Sequence, residues 1–169
     1  SKKTCTISMI DYKSKTNMLN NKHQYKCFWD CEFIPKDITP IGCPINYVTH
    51  EIVKTYFSEI SQDNYKIKES ISKNKKDKLK TIEDERLKLI ENGFYETDGI
   101  FCSFNCCMAF IEDNYHNKLY NNSKQLLLKM YNKMCNEKIN EIESAPHYRI
   151  LSYFGGDLDI NTYRNSFNK

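Results

Sequence analysis

The chain has little of what marks several common protein classes. It contains only 5 Gly and 4 Pro in 169 residues, and 28% of its residues are charged, which suits a folded globular domain rather than a disordered chain. No run approaches the roughly 18 consecutive apolar residues of a membrane span, and no charged-then-apolar leader opens the sequence. We therefore expect an intracellular protein without a membrane anchor.

Motifs of familiar catalytic sites are also absent from the sequence. There is no G-x-x-x-x-G-K-[ST] phosphate loop, no G-x-G-x-x-G, no H-E-x-x-H and no G-x-S-x-G. A redox-active C-x-x-C at a helix start is likewise missing. These absences predict a protein that is not an enzyme.

Cysteine, by contrast, is plentiful, with eight residues in the chain. In an intracellular protein such cysteines indicate metal ligands and buried thiols more readily than disulfides. Four of them form two close pairs, Cys27 with Cys31 and Cys102 with Cys106. The other four are expected to be buried thiols: Cys5, Cys43, Cys107 and Cys135.

Two such pairs can bind one metal ion. A structural zinc site takes four soft ligands in a tetrahedron, with sulfur about 2.3 Å from the metal, and chains usually supply them as two pairs from separate segments. We therefore predict one Zn²⁺ held by Cys27, Cys31, Cys102 and Cys106, with Cys43 and His23 as substitutes. Four cysteine ligands leave no position for water, so this zinc would be structural rather than catalytic.

Local patterns around the second pair predict the fold. Residues 94–101 indicate a β-hairpin with Asp98-Gly99 as its tight turn. Ser103 then caps a helix, which places Cys102 at a strand end and Cys106 in the first helical turn. A knuckle, a hairpin and a helix in this order predict an α+β fold with a treble-clef-like zinc finger, elaborated by additional helices.

The apolar spacing predicts those helices. One stripe follows the cap, a second begins near Ser123, and a short last helix lies around Ile160 to Phe167. Residues 52–60 and 75–91 also carry helical stripes. We expect a basic arm at 1–24 and a single zinc-binding domain at 25–169, with a charged helical insertion at about 48–93. The stripes are Phe104, Met108, Ile111, Tyr115 and Leu119 in the first helix, and Leu126, Leu127, Met130, Tyr131 and Met134 in the second.

The formal net charge of +3 is concentrated at the start of the chain. Residues 1–26 carry six lysines against Asp11 alone. A basic arm of this kind is one form that nucleic-acid binders take, and it is also typical of a solvated tail. If it binds nucleic acid, the candidate residues are Lys13, Lys15, Lys22 and Lys26.

A longer set of motifs resembles one viral family. The motifs are Cys27-Phe-Trp-Asp-Cys31, Pro40-Ile-Gly-Cys-Pro44, Gly99-Ile-Phe-Cys-Ser-Phe-Asn-Cys106, Ala145-Pro146, Phe154-Gly-Gly-Asp-Leu-Asp-Ile160 and Tyr163-Arg164. Together they resemble the viral late transcription factor 2 family (poxvirus trans-activator type) of nucleocytoplasmic large DNA viruses. The F-C-S-x-x-C element is also similar to FCS and MYM-type zinc fingers. This chain departs from the poxvirus pattern by a much longer segment between the pairs and by one extra residue within the first pair.

The resemblance implies a late-gene transcription factor that acts with the viral RNA polymerase and other late factors. The implied location is the virus factory in the host cytoplasm, with packaging in the virion as a further option. Two classes stay open at this point: a transcription factor that contacts DNA through its arm, and a zinc-finger adaptor that binds proteins only.

Overall fold

A computed structural model of the chain describes residues 3–19, 24–49 and 93–168. The helices predicted at 52–60 and 75–91, together with Lys22 and His23, lie outside these ranges. The chain divides into two compact units, one formed by residues 1–46 and 95–169 and the other by residues 47–94. The candidate site lies entirely in the first unit.

Within the described ranges, three strands form one sheet in the order β1-β3-β2. They are β1 (Met9–Asp11), β2 (Ile41–Val48) and β3 (Phe94–Phe101). β1 runs parallel to β3, with Met9 opposite Tyr95 and Asp11 opposite Thr97. The class is therefore α+β, as the sequence predicts.

The predicted hairpin at residues 94–101 is wrong, because these residues form the single strand β3. Gly99 does have a positive φ of 72°, as a tight turn would require. A Cβ at this position would lie 2.7 Å from the ring of Phe28, so glycine lets this aromatic ring pack closely on the strand. Strands from distant parts of the chain flank β3 on both sides, which supplies the partners that a local hairpin would have provided.

Helix α1 (Phe104–Asp113) begins where the sequence predicts. The side chain of Ser103 accepts a hydrogen bond from the Cys106 N–H at 3.1 Å, which caps the first turn. Met108 and Ile111 of the predicted stripe are buried. The helix ends before Tyr115, which is exposed.

Two further helices complete the first unit. Helix α2 (Ser123–Cys135) closes at Asn136, whose left-handed conformation ends the helix. It packs on α1 through Phe104 and Tyr131, whose ring centroids are 4.9 Å apart. Helix α3 (Ile160–Asn165) is capped by Asp159. Short 3₁₀ turns lie at Lys118–Tyr120, Tyr148–Ile150 and Ser152–Phe154.

Residues 3–19, most of the predicted basic arm, pack against the rest of the first unit. Met9 and Met18 are buried in the core. The Thr4 N–H donates to the Met134 carbonyl at 2.6 Å, which holds the segment beside the end of α2. Strand β1 falls within the Ile7-to-Tyr12 stretch, where apolar residues suggest a short strand or docking segment.

Candidate metal centre

The first half of the candidate centre is a tight knuckle at residues 26–33. Lys26 and Phe33 form an antiparallel bridge across it. The Cys31 N–H donates to the Cys27 carbonyl at 2.9 Å, which closes the turn. A second backbone bond, from the Phe28 N–H to the Ile100 carbonyl at 2.8 Å, fixes the knuckle to β3.

The second half comes from the junction of β3 and α1. Cys102 directly follows β3, and Cys106 lies in the first turn of α1. A helix N-terminus carries a partial positive charge, which favours a thiolate at this position. Both cysteines are buried.

These two halves bring four ligand atoms together in the interior. Cys27, Asp30, Cys102 and Cys106 each contribute one atom, and all four atoms lie within 4.8 Å of one another. The Sγ atoms of Cys102 and Cys106 are 3.5 Å apart. Asp30 Oδ2 lies 3.5 Å from Cys102 Sγ and 3.8 Å from Cys106 Sγ.

The spacing suits a tetrahedral metal ion. Zinc binds sulfur at about 2.3 Å and carboxylate oxygen at about 2.1 Å, so tetrahedral edges are about 3.8 Å between sulfurs and about 3.6 Å between sulfur and oxygen. The three distances given above fall close to these edges, and the other pairs lie within 4.8 Å. The donor set and its burial therefore fit a metal ion with four protein ligands.

The three thiols of the group shift one another's pKa values. Burial raises the pKa of Cys27, but hydrogen bonds from Cys102 and Cys106 outweigh it and hold the pKa well below its usual value. Although the bond with Cys106 alone would lower the pKa of Cys102, the bond with Cys27 and burial raise it overall. The pKa of Cys106 is raised by its bonds to Cys102 and Cys27. Cys27 is thus the group's preferred thiolate.

Three of the four predicted ligands meet in this group, and the fourth does not. Cys31 is exposed, and its backbone has a positive φ of 63°. The structure places Asp30, one residue earlier, beside the three sulfurs. Cys43, a proposed substitute, is buried but lies outside the group, as does Cys107. Cys135 is also buried, as expected, but the prediction of a buried thiol is wrong for Cys5, which is exposed.

Two residues of the centre, Asp30 and Arg164, were not predicted to belong to it. Asp30 is fully buried and forms an ion pair with Arg164 of α3, with Nε to Oδ2 at 3.1 Å. Spacing carried a signal for Asp30, because Cys27 and Asp30 have the C-x-x-ligand separation of a common zinc knuckle. Arg164 belongs to the Tyr163-Arg164 motif of the resemblance, but no local signal links it to the metal centre, because it is 134 residues away from Asp30 in the chain.

The predicted nucleic-acid residues occupy different settings. Lys13 and Lys26 are exposed, and Lys26 Nζ lies 4.8 Å from the centroid of the Phe33 ring. Lys15 forms an ion pair with Glu96 at 3.4 Å. Lys22 lies outside the described residues.

Comparison with known proteins shows viral relatives. The chain is 37% identical over 143 residues to uncharacterized protein 350L of invertebrate iridescent virus 6, and 32% identical over 155 residues to uncharacterized protein 026R of invertebrate iridescent virus 3. Each match covers 83% of this chain and 64% of the relative, so the chain spans under two thirds of either protein. A third relative, uncharacterized protein R450 of Acanthamoeba polyphaga mimivirus, is 33% identical over 91 residues, which cover 48% of this chain and 24% of that protein.

Other comparisons give no match: neither a family model nor a solved structure matches the chain. Among the residues that the structure describes, no helix is long and apolar enough to cross a membrane. The relatives support a viral protein, and the buried cluster is a candidate metal site.

Proposed function

We propose that this chain contains a structural zinc centre with no enzymatic role. The observation that carries this proposal is the buried group of Cys27, Asp30, Cys102 and Cys106. Three thiolates favour zinc over hard cations such as Mg²⁺ and Ca²⁺, which prefer oxygen. Because four protein ligands leave no open position, the ion would stabilise the fold.

The same group supports a treble-clef-like reading of the finger. A knuckle supplies two of the ligand atoms, and the start of α1 supplies the others. The strand that precedes α1 would replace one arm of the usual hairpin. A metal ion would then link the knuckle, β3 and α1 at a single point.

At the level of biology, we propose a viral late-gene transcription factor. The sequence motifs described above support this role, and relatives in iridoviruses and a mimivirus are compatible with it. The domain would act with the viral RNA polymerase and other late factors in the host cytoplasm. It would contact DNA through exposed lysines, of which Lys13 and Lys26 are the best placed.

A protein-binding adaptor without DNA contact is the second candidate. Exposed aromatic side chains favour it: Phe28 is 55% exposed and Tyr153 is 69% exposed. Exposed aromatics of this size are common at protein interfaces. In this role the zinc centre would hold the docking surface in shape.

The salt dependence of nucleic-acid binding separates the two candidates. A factor that neutralises about three or four phosphates should lose affinity for duplex DNA with a log–log slope near −3 to −4. Changing both Lys13 and Lys26 to Ser should reduce that slope by about two. A matched control is Lys138→Ser paired with Lys129→Ser, which removes the same charge from exposed positions near α2.

The same protein should be used to capture RNA polymerase and late-factor subunits from infected cells, identified by antibody. Capture of these subunits without DNA or RNA affinity at low salt would establish the adaptor. The absence of both activities would contradict the transcription proposal.

A further inference from the structure

The side chain of Arg164 extends from α3 to the candidate metal centre and donates two hydrogen bonds to the Asp30 carboxylate. Nε donates to Oδ2 at 3.1 Å, and Nη2 donates to Oδ1 at 3.1 Å. Two further N–H groups bind the knuckle backbone, with Nη1 on the Phe33 carbonyl at 2.9 Å and Nη2 also on the Glu32 carbonyl at 3.3 Å. The guanidinium therefore fixes both the carboxylate and the loop that carries it.

The hydrogen bonds from Arg164 leave some lone pairs of the Asp30 carboxylate available to a metal ion. An ionised carboxylate has about four lone-pair sites, and Arg164 uses one on each oxygen. The free capacity of Oδ2 faces the thiols, at 3.5 Å from Cys102 Sγ and 3.8 Å from Cys106 Sγ. An oxygen held this way has the position and the lone pair of a metal ligand.

Cys31, in contrast, is directed away from the centre. Its N–H is bound to the Cys27 carbonyl at 2.9 Å, and its left-handed backbone turns the exposed side chain outward. For Cys31 to bind the metal, the knuckle would have to rotate Asp30 out of the site. That change would break a buried ion pair and leave Arg164 without its carboxylate, which is unfavourable.

We propose that Asp30 is the fourth metal ligand and that Arg164 is the positioning residue that holds it there. This assignment rests on the metal centre proposed above. The donor set would be three thiolates and one carboxylate, and Cys31 would remain a free surface thiol. A residue that is hydrogen-bonded to a metal ligand orients that ligand and tunes the affinity for the metal.

The arrangement also ties the C-terminal helix to the metal. Tyr163, the neighbour of Arg164, is fully buried, and Trp29 Nε1 donates to its hydroxyl at 2.8 Å. The Tyr163 hydroxyl in turn donates to the Pro146 carbonyl. Binding of the ion at Asp30 would therefore stabilise the docking of α3 on the knuckle.

The test uses Co²⁺ in place of zinc on the full chain, because the thiolate-to-cobalt absorption band grows with the number of thiolates. The wild type should show a three-thiolate band that Cys31→Ser leaves unchanged. Asp30→Cys, which creates a four-thiolate set, should strengthen the band by about one third. Zinc X-ray absorption should show three sulfurs and one oxygen at the ion.

Arg164→Gln should weaken metal binding by about 10- to 100-fold, as does the loss of other residues that are hydrogen-bonded to a metal ligand. Arg149→Gln, an exposed control, should leave the affinity unchanged. If one of these variants does not fold, the assignment can still be tested by alkylating the thiols of the wild-type protein. In the metal-loaded protein, Cys31 should react with iodoacetamide without loss of the ion, whereas Cys27, Cys102 and Cys106 should be protected until the ion is removed.

A four-thiolate wild-type spectrum, or protection of Cys31 by the metal, would overturn this assignment while leaving the zinc centre intact. Equal affinity of the wild type and Arg164→Gln would overturn the role of Arg164. A wild-type protein that binds neither Co²⁺ nor Zn²⁺ would instead remove the proposed centre itself.

Discussion

At the scale of single residues, the protonation of the thiol group predicts how metal binding depends on pH. The pKa of Cys27 is lowered, whereas the pKa values of Cys102 and Cys106 are raised. Sulfur binds the metal as the thiolate, so the raised pKa values mean that Cys102 and Cys106 must lose protons when the ion binds. Binding should release about two protons per ion, and affinity should rise with pH until the pH passes the raised pKa values.

Calorimetry in buffers of different ionisation enthalpy counts the released protons. Affinity measured between about pH 6 and pH 8 should increase with pH. Binding that releases no protons, or an affinity that does not change with pH, would show that the thiols are already ionised or do not bind the ion.

A second residue-scale prediction concerns Gly42 in β2. A Cβ at this position would lie 2.5 Å from Thr97 Cβ and 2.6 Å from Met18 Sδ. Gly42→Ala should lower the free energy of unfolding by about 1–3 kcal/mol through overpacking. Denaturant unfolding measures the loss, with the exposed Ser152→Ala as control. Equal stability of Gly42→Ala and the wild type would show that the core can shift to accept a methyl group.

How much of the site could be predicted follows from these residues. Spacing alone indicated Cys27, Cys102 and Cys106, because close cysteine pairs on a turn and a helix start are hard to explain by packing. Spacing could not decide which knuckle residue points inward, because that depends on the positive φ of Cys31. The Tyr163-Arg164 motif marked Arg164, but its role could not be inferred from local sequence, since that role arises only when α3 docks on the knuckle.

At the scale of elements, helix α2 should depend on its buried stripe. Met130 is fully buried. Met130→Asp should therefore cost several kcal/mol, because an unpaired carboxylate would enter apolar surroundings. Gln125→Asp adds the same charge to an exposed position of the same helix and should be nearly neutral. An unchanged melting temperature for Met130→Asp would refute this packing.

The N-terminal segment should behave as part of the fold. Strand β1 pairs with β3, and Met9 and Met18 are buried. Removing residues 1–19 should lower the melting temperature, because it exposes the edge of β3 and part of the core. Lys13→Ser with Lys15→Ser keeps the strand and should change stability little. If the truncated and full-length chains have the same melting temperature, residues 1–19 are an independent arm.

Elements with strong local signals were predictable, and those that depend on distant partners were not. Ser103 and the apolar spacing located the start of α1, and Ser123 located that of α2. The strand β3 was mistaken for a hairpin because Asp98-Gly99 is a common turn pair. Its real partners, β1 and β2, lie far away in sequence, and no local pattern reports such pairing.

At the scale of the whole molecule, the α+β class followed from the order of local patterns, but the strand order did not. The two compact units divide the chain near the boundaries of the predicted insertion, at 47–94. The iridovirus relatives are longer than the region they share with this chain.

The central claim is that one zinc ion binds at the junction of the knuckle, β3 and α1. Elemental analysis of purified protein tests it most directly, with Cys102→Ser/Cys106→Ser as the loss variant and Cys43→Ser, a buried thiol outside the group, as control. We predict one zinc per chain in the wild type and the control, none in the double variant, and loss of helical signal when a chelator removes the ion. A folded wild-type protein that contains no zinc and takes none up would contradict the account.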